Sequence, residues 1–347
     1  MRRLLFTPLV PQEFAELSES EQGLISVLQV NPRVSWVVAA GALGIDPTTI
    51  SRIWRGLVES GRAWISAYPR ATESGPPLIA FIEISCGAGS VDAVAASVVD
   101  RPWAATVERT TGRRDLLVSG MVRDLEALTA LLTQELEMID GVVSTRIQVA
   151  TVITVEGSGW RLGALSAEAI RRVTDDRPLS YPRSTRIDRR DRVLMDLLGV
   201  DGRVGYSEAA AATGLGITTV RRRIQRLIST GAVGLRCEVA QPLSGRPVAA
   251  TLWCRVAPSD MNQVMSGLSA MPEVRLCAST TGGPTNLLLA LWLRSPGDLQ
   301  RLEEQLSERV SALEVVDRAL VLRHYKRMGR LLGDAGRAVG VIPVSAN

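Results

Sequence analysis

Histidine is almost missing from this chain of 347 residues, which has one, His324. Catalytic triads and metal sites that depend on several imidazoles are thereby excluded. Cysteine is scarce and scattered: Cys86, Cys237, Cys254 and Cys277 form no CxxC pair. Neither a zinc ribbon nor a dithiol redox motif fits that spacing, and reduced, buried thiols are expected. Long hydrophobic runs are absent as well. Residues 287–293 form one of the longest, far below the ~18 apolar residues of a membrane helix, so no membrane partner is expected. The start, Met1-Arg2-Arg3-Leu4-Leu5-Phe6, opens like an export signal, but Pro8, Pro11, Glu13, Glu16 and Glu19 interrupt it. A soluble, cytoplasmic protein is expected.

What is present is ordinary globular material, 46% hydrophobic and 22% charged, long enough for roughly two to four domains. The net charge of +4 is modest, and its distribution is the more informative property. Arginine gathers in residues 183–192, in Arg221-Arg222-Arg223 with Arg226, and near the C-terminus with Lys326, Arg327 and Arg330. Each cluster is either a solvated face or a surface for an acidic partner.

An internal repeat organises the chain. Shifted by 170 residues, positions 17–61 align without a gap on 187–231, and 14 of the 45 pairs are identical, among them Arg33/Arg203, Gly44/Gly214, Thr48/Thr218, Thr49/Thr219 and Arg52/Arg222. The same offset carries Thr110-Thr111-Gly112 onto Thr280-Thr281-Gly282. Such self-similarity implies one structural unit used twice. The expected division is a helix-turn-helix domain at 14–70, a sensing domain at 76–155, a linker at 156–183, a second helix-turn-helix at 184–243, a second sensing domain at 246–330 and a C-terminal tail at 331–347.

Within each 45-residue block the periodicity predicts three short helices. The first carries Leu24, Ile25 and Leu28 on one face; the second covers about 36–42 and stops at Gly44, a left-handed cap. The third starts at Asp46-Pro47, a capping acceptor followed by proline at the first helical position. Ile50, Trp54, Leu57 and Val58, matched by Val220, Ile224, Leu227 and Ile228, form its buried stripe. Its other face carries Thr48, Thr49, Ser51, Arg52 and Arg55, matched by Thr218, Thr219, Arg221, Arg222, Arg223 and Gln225. Hydroxyl, guanidinium and amide groups on a short helix are the types that reach base edges and phosphates in the major groove of double-stranded DNA. Extended runs at 63–68 and 233–239 follow and read as the strands of a wing.

The remainder of each unit reads β-α-β-β-α-β: 77–85, 91–99, 104–111, 115–122, 125–136 and 142–151, then 248–256, 261–268, 274–281, 286–293, 299–310 and 315–324. This is the ferredoxin-like order. The fold class is therefore α+β, two winged helix-turn-helix domains each followed by a βαββαβ domain. With both helices on one side, each sheet leaves one face that must find a partner, and further self-association through those faces is expected.

The chain resembles the Lrp/AsnC family of feast/famine regulators. The resemblance rests on Asp188-x-x-Asp191-x-x-Leu194, Gly202-Arg203, Ala209-x-x-x-Thr213-Gly214-Leu215, Thr219-Val220-x-Arg222-Arg223-Ile224-x-x-Leu227 and Gly231. The turn Gly112-Arg113-Arg114-Asp115 resembles the family's Gly-x-x-Asp mark, and its counterpart is Gly283-Pro284-Thr285-Asn286. The resemblance implies a homo-oligomeric transcription regulator that binds DNA and a small effector, an amino acid or similar metabolite, held between sensing domains. It places Thr111, Gly112 and Asp115, with Thr281, Gly283 and Asn286, at the effector; the alternative is that glycine and Asp115 simply form the hairpin turn. Because the first copy has Arg52-Ile53 where the second has Arg222-Arg223, and Gly56 in place of Arg226, the second helix-turn-helix is expected to supply more of the DNA affinity. No catalytic residue, metal or cofactor is expected. Two other readings remain: an enzyme similar to the siroheme decarboxylases, which use the same duplicated scaffold but rely on histidines lacking here, and an effector-binding protein that does not bind DNA.

Overall fold

The protein is described by a computed structural model covering residues 16–70, 75–163, 165–175, 187–310 and 312–346. The interrupted start at Pro8 and Pro11, and Pro178, Pro182 and Arg183 of the expected linker, lie outside the described residues.

Helix α1 (Glu19–Val30) begins at Ser18, which exchanges hydrogen bonds with Glu21 in a capping box and so satisfies two amides that have no partner within the helix. Ser35 caps α2 (Trp36–Leu43), which ends at Gly44 with φ +67°. Helix α3 (Pro47–Glu59) starts as its sequence requires: the Asp46 side chain accepts from the N–H groups of Thr48 and Thr49. Ile50, Trp54 and Leu57 are buried against Leu24, Leu28 and Val34. Val58, expected on that stripe, is instead 45% exposed. Strand β1 (Ala63–Pro69) follows and is buried along its whole length.

The first βαββαβ unit uses β2 (Leu78–Cys86), α4 (Val91–Val99), β3 (Ala104–Thr110), β4 (Leu116–Val122), α5 (Leu125–Leu131) and β5 (Val142–Val155). Helix α5 runs into a π turn at Leu132–Leu136, and Leu125, expected on its apolar stripe, is exposed. After α6 (Ala167–Asp175) come α7 (Arg189–Val200), α8 (Tyr206–Thr213), α9 (Ile217–Ser229) and β6 (Val233–Val239), then β7 (Val248–Val256), α10 (Met261–Ser269), β8 (Val274–Thr281), β9 (Leu287–Leu293), α11 (Gly297–Arg309) and β10 (Leu313–Arg327). Asp188 and Asp191 form a capping box on α7, and Gly214 caps α8 in the left-handed conformation.

Five expectations need correction. Neither β1 nor β6 builds a wing: they pair with each other, antiparallel, from Ala63 opposite Val239 to Pro69 opposite Val233. Each is a lone strand whose buried backbone groups need partners, and the nearest free edge belongs to the other strand. The segment read as a linker is partly core, because Trp160 and Val173 are buried against the first helical trio and Arg172 reaches the carbonyl of Gly41. The expected tail folds into β11 (Arg330–Leu332) and β12 (Ala338–Val341), which extend the sheet from β10. From there Ala338 N–H donates to Gly61 O at 2.9 Å and Arg330 Nη2 to Val200 O at 2.6 Å, so the C-terminal strands strap both helical trios to the sheet. Lys326 and Arg327 are buried rather than displayed; the Lys326 ammonium donates to the carbonyls of Val99 and Arg101 at the end of α4.

The fifth correction concerns the open sheet faces. Strands β5 and β10 are long enough to belong to two sheets: β5 pairs with β2 and then crosses to β8, while β10 pairs with β7 and then crosses to β3. Among the described residues this closes the ring β10-β3-β4-β2-β5-β8-β9-β7 and back to β10. Phe81, Leu117, Trp253, Ala278, Leu288 and Ala319 fill the space between the sheets, while α4 and α5 cover the outside of one and α10 and α11 the outside of the other. The faces expected to associate with a second chain are therefore occupied by each other. No helix among the described residues is long and apolar enough to cross a membrane.

Candidate DNA-reading faces and ligand clefts

Helices α3 and α9 each turn one apolar side inward and leave the other to solvent. On α3, Thr48, Arg52 and Arg55 are exposed and Thr49 and Ser51 half-buried. On α9, Thr218, Arg221, Arg222 and Gln225 are exposed and Thr219 half-buried. Arg223 differs. Its Nη1 lies 2.7 Å from Asp188 and 2.9 Å from the buried Asp191, and Arg226 pairs with the same Asp191. Of the α9 arginines the sequence assigned to DNA, Arg223 thus braces α9 against α7. Charges free to meet phosphate are Arg52 and Arg55 on one helix and Arg221 and Arg222 on the other, which removes the reason to expect the second helix-turn-helix to dominate.

A reciprocal clasp sets the two trios against each other. Arg33 donates to the carbonyls of Gly202 and Val204 at 2.8 and 3.1 Å, and Arg203 donates to those of Pro32 and Val34 at 2.7 and 2.9 Å. Each guanidinium also lies over an aromatic ring, Arg33 on Tyr206 at 5.1 Å and Arg203 on Trp36 at 3.7 Å. Hydrogen bonds from a charged donor are worth about 1.5–3 kcal/mol, and the cation–π contacts add to them. Sequence reading recorded Arg33 and Arg203 as an identical pair without a role. The signal was there: an invariant charge with an aromatic residue three positions on in both copies.

The turns read as effector sites are built mainly as strand junctions. Gly112 has φ +92°, a conformation that favours glycine. The Thr111 hydroxyl accepts from Leu320 N–H at 2.9 Å, fixing the turn to β10. Asp115 Oδ2 accepts from Cys86 N–H at 2.8 Å, and burial together with that carboxylate pushes the Cys86 thiol up to about 11. At the other turn Thr281 pairs with Val149 of β5, and Asn286 exchanges two hydrogen bonds with the backbone of Val256, at 2.9 and 2.8 Å. Gly283 and Asn286 line a shallow groove with Arg255 and Glu314. A second cleft of about 290 Å³ lies between the turns. Of the expected residues it takes only Gly283; its polar wall includes Glu83, Arg113, Arg114, Arg146, Gln148, Thr285 and Asp317, none of which was assigned to the effector. Arg114 is buried, stacked 3.8 Å from Trp253, and ion-paired to Glu83 and Asp317.

Between the barrel and the β1–β6 ribbon sits a buried ionic cluster. Glu238 of β6 is ion-paired to Arg236 of the same strand, to Arg275 of β8 at 3.2 Å and to Arg327 of β10 at 3.4 Å. Nothing in the sequence linked these positions, which come from three strands.

Comparison with known proteins places these features. The family model of the Lrp/AsnC ligand-binding domain matches residues 79–159, and that of the AsnC-type helix-turn-helix domain matches residues 187–228. A helix-turn-helix transcriptional regulator of Pyrococcus abyssi is 28% identical over 137 residues, 39% of this chain and 84% of that protein. The transcriptional regulator LrpA of Mycobacterium tuberculosis is 31% identical over 105 residues, 30% of this chain and 70% of that protein. Among solved structures, the siroheme decarboxylase NirDL aligns over 89% of this chain and 93% of its own with a TM-score of 0.58, at 14% identity, a likeness of fold alone. With both domain types matched, and with LrpA related over most of its length, the chain belongs to the Lrp/AsnC family.

Proposed function

We propose that this protein is a cytoplasmic, sequence-specific DNA-binding transcription regulator that carries two copies of one unit and so supplies, within a single chain, the paired reading heads of a dimer. One observation carries the reading: α3 and α9 present guanidinium, hydroxyl and amide groups outward while the Arg33/Arg203 clasp and the β1–β6 ribbon hold their modules as a pair. Two linked reading helices suit a bipartite, roughly palindromic operator. The contacts proposed are Thr48, Thr49, Ser51, Arg52 and Arg55 at one half-site, and Thr218, Thr219, Arg221, Arg222 and Gln225 at the other.

A small effector, with amino acids the first class to test, is proposed to bind at the cleft between the two turns. There Thr111, Gly112, Asp115, Thr281 and Asn286 hold the backbone in place, and Arg113, Gly283 and Thr285 face the ligand. Self-association, where it occurs, has to use surfaces other than the inner sheet faces. The chemistry of the decarboxylase does not carry over. His324 is held by Glu108 at 3.0 Å, and the cavity beside it is about 170 Å³, whereas even drug-sized ligands need roughly 300–1,000 Å³ and a tetrapyrrole more.

The test is fluorescence anisotropy on the protein's own promoter fragment at low and physiological salt. Arg52→Ala and Arg222→Ala are each expected to cost about 1–3 kcal/mol, by similar amounts. Absence of binding even at low salt, where phosphate contacts are strongest, rejects the regulator reading.

A further inference from the structure

We propose that the space between the two sheets, at the end beneath the β1–β6 ribbon, is a second ligand site, which takes a small carboxylate bearing an aliphatic chain and no ammonium group. The cavity, about 170 Å³, has an apolar wall formed by Ile79, Phe81, Leu117, Leu276 and Leu288. Its other wall includes Arg236, Arg275 and Arg327, whose side chains are 10%, 7% and 6% exposed. These three guanidinium groups share one buried carboxylate, Glu238. The Nε atom of Arg236 and the Nη1 atom of Arg327 are buried with no hydrogen-bond partner, and Arg327 Nε has only its 3.4 Å ion-pair contact with Glu238. Buried donors of this kind are costly unless something accepts from them, and an anion in the adjoining cavity does so. Trp292 keeps the arrangement in place, its ring 4.0 Å from the Arg275 guanidinium.

The absence of an ammonium group follows from the two other carboxylates on the wall. Glu108 is held by His324 at 3.0 Å. Glu156 accepts from the hydroxyls of Tyr68 and Ser158 at 3.2 and 2.7 Å and lies 3.8 Å from Arg70. Both are already engaged, and the three guanidinium groups on the same wall repel a further cation. An anion that draws the arginines from Glu238 also alters what anchors β6, the strand that follows the reading helix α9, since Arg327 Nη2 donates to Val239 O at 2.7 Å. Binding at this site is therefore coupled to the DNA-reading layer.

Calorimetric titration of the full chain, without DNA, with 4-methyl-2-oxopentanoate, leucine and the uncharged 4-methylpentan-2-one tests the proposal independently of the regulator reading. The oxo acid is expected to bind one per chain in this cavity, with the ketone, and that part of any leucine binding that Ala290→Leu removes, weaker by about tenfold or more. Ala290→Leu, which fills the cavity and leaves the arginines, is expected to abolish binding, and Arg275→Gln to weaken it by about tenfold or more. Asp115→Ala, at the separate turn, is expected to leave it unchanged. No heat with the oxo acid at millimolar concentration, tighter binding of leucine that Ala290→Leu abolishes, or binding of the oxo acid that survives both Ala290→Leu and Arg275→Gln overturns the proposal.

Discussion

Glu238 is the residue on which most charge converges. Burial alone would raise its carboxyl pKa, but Arg236, Arg275 and Arg327 outweigh burial and hold it down at about 2. A carboxyl whose folded value lies below its ordinary 4.5 adds stability above that ordinary value and loses it as the pH falls towards 2. Thermal melts across this range are expected to show a steep loss for the native chain. Glu238→Gln, which strands three arginines, is expected to be less stable at neutral pH by about 3–5 kcal/mol, yet flatter between pH 4.5 and 2. Arg223 illustrates how residue-level reading fails. An arginine on a reading helix looks like a DNA contact from its neighbours in sequence, but Asp188 and Asp191, which claim it, lie 35 and 32 positions away. Arg223→Ala is accordingly expected to lower the melting temperature while costing less operator affinity than Arg222→Ala in the same anisotropy assay.

At the scale of elements, much was legible because local physics decides it. The Asp46-Pro47 start of α3, the glycine stop of α2 and the buried stripe of Ile50, Trp54 and Leu57 all follow from capping and 3.6-residue periodicity. Which strand edge meets which is not a local property, so β1 and β6 read correctly as strands and wrongly as wings. The clasp between trios belongs to this scale. Arg203→Met keeps the apolar stem but leaves the carbonyls of Pro32 and Val34 without their donor, at a cost of about 1–3 kcal/mol each. The expected result is a lower melting temperature together with a looser preference for half-site spacing, measured on operators with one to three base pairs inserted between the halves. The C-terminal strap is equally specific. A Cβ on Gly61, where φ is +65°, would lie 2.3 Å from Ala338 O, so Gly61→Ala is expected to detach β12, seen as faster amide exchange over residues 338–341.

For the whole molecule, the decisive fact is closure: two sheets that each needed a partner face find it in the same chain. Sequence patterning located the strands and showed that one face of each sheet needed covering, but β5 and β10 extend past their expected ends, and their crossing made the ring. Native mass spectrometry of the protein on its operator is expected to give one chain per bipartite site. Two chains per site would reject the single-chain reading unit.

The pairing of β1 with β6 has an evolutionary consequence. In a homodimer every substitution in the reading helix changes both half-sites at once, which ties the operator to symmetry. Here the two reading helices are encoded separately and held together by the chain. On the proposed assignment, a substitution at Arg52 would alter one half-site and leave the half assigned to Arg222 as it was. An operator read in this way would be free to drift away from a palindrome one half at a time, without any step at which both contacts are lost together.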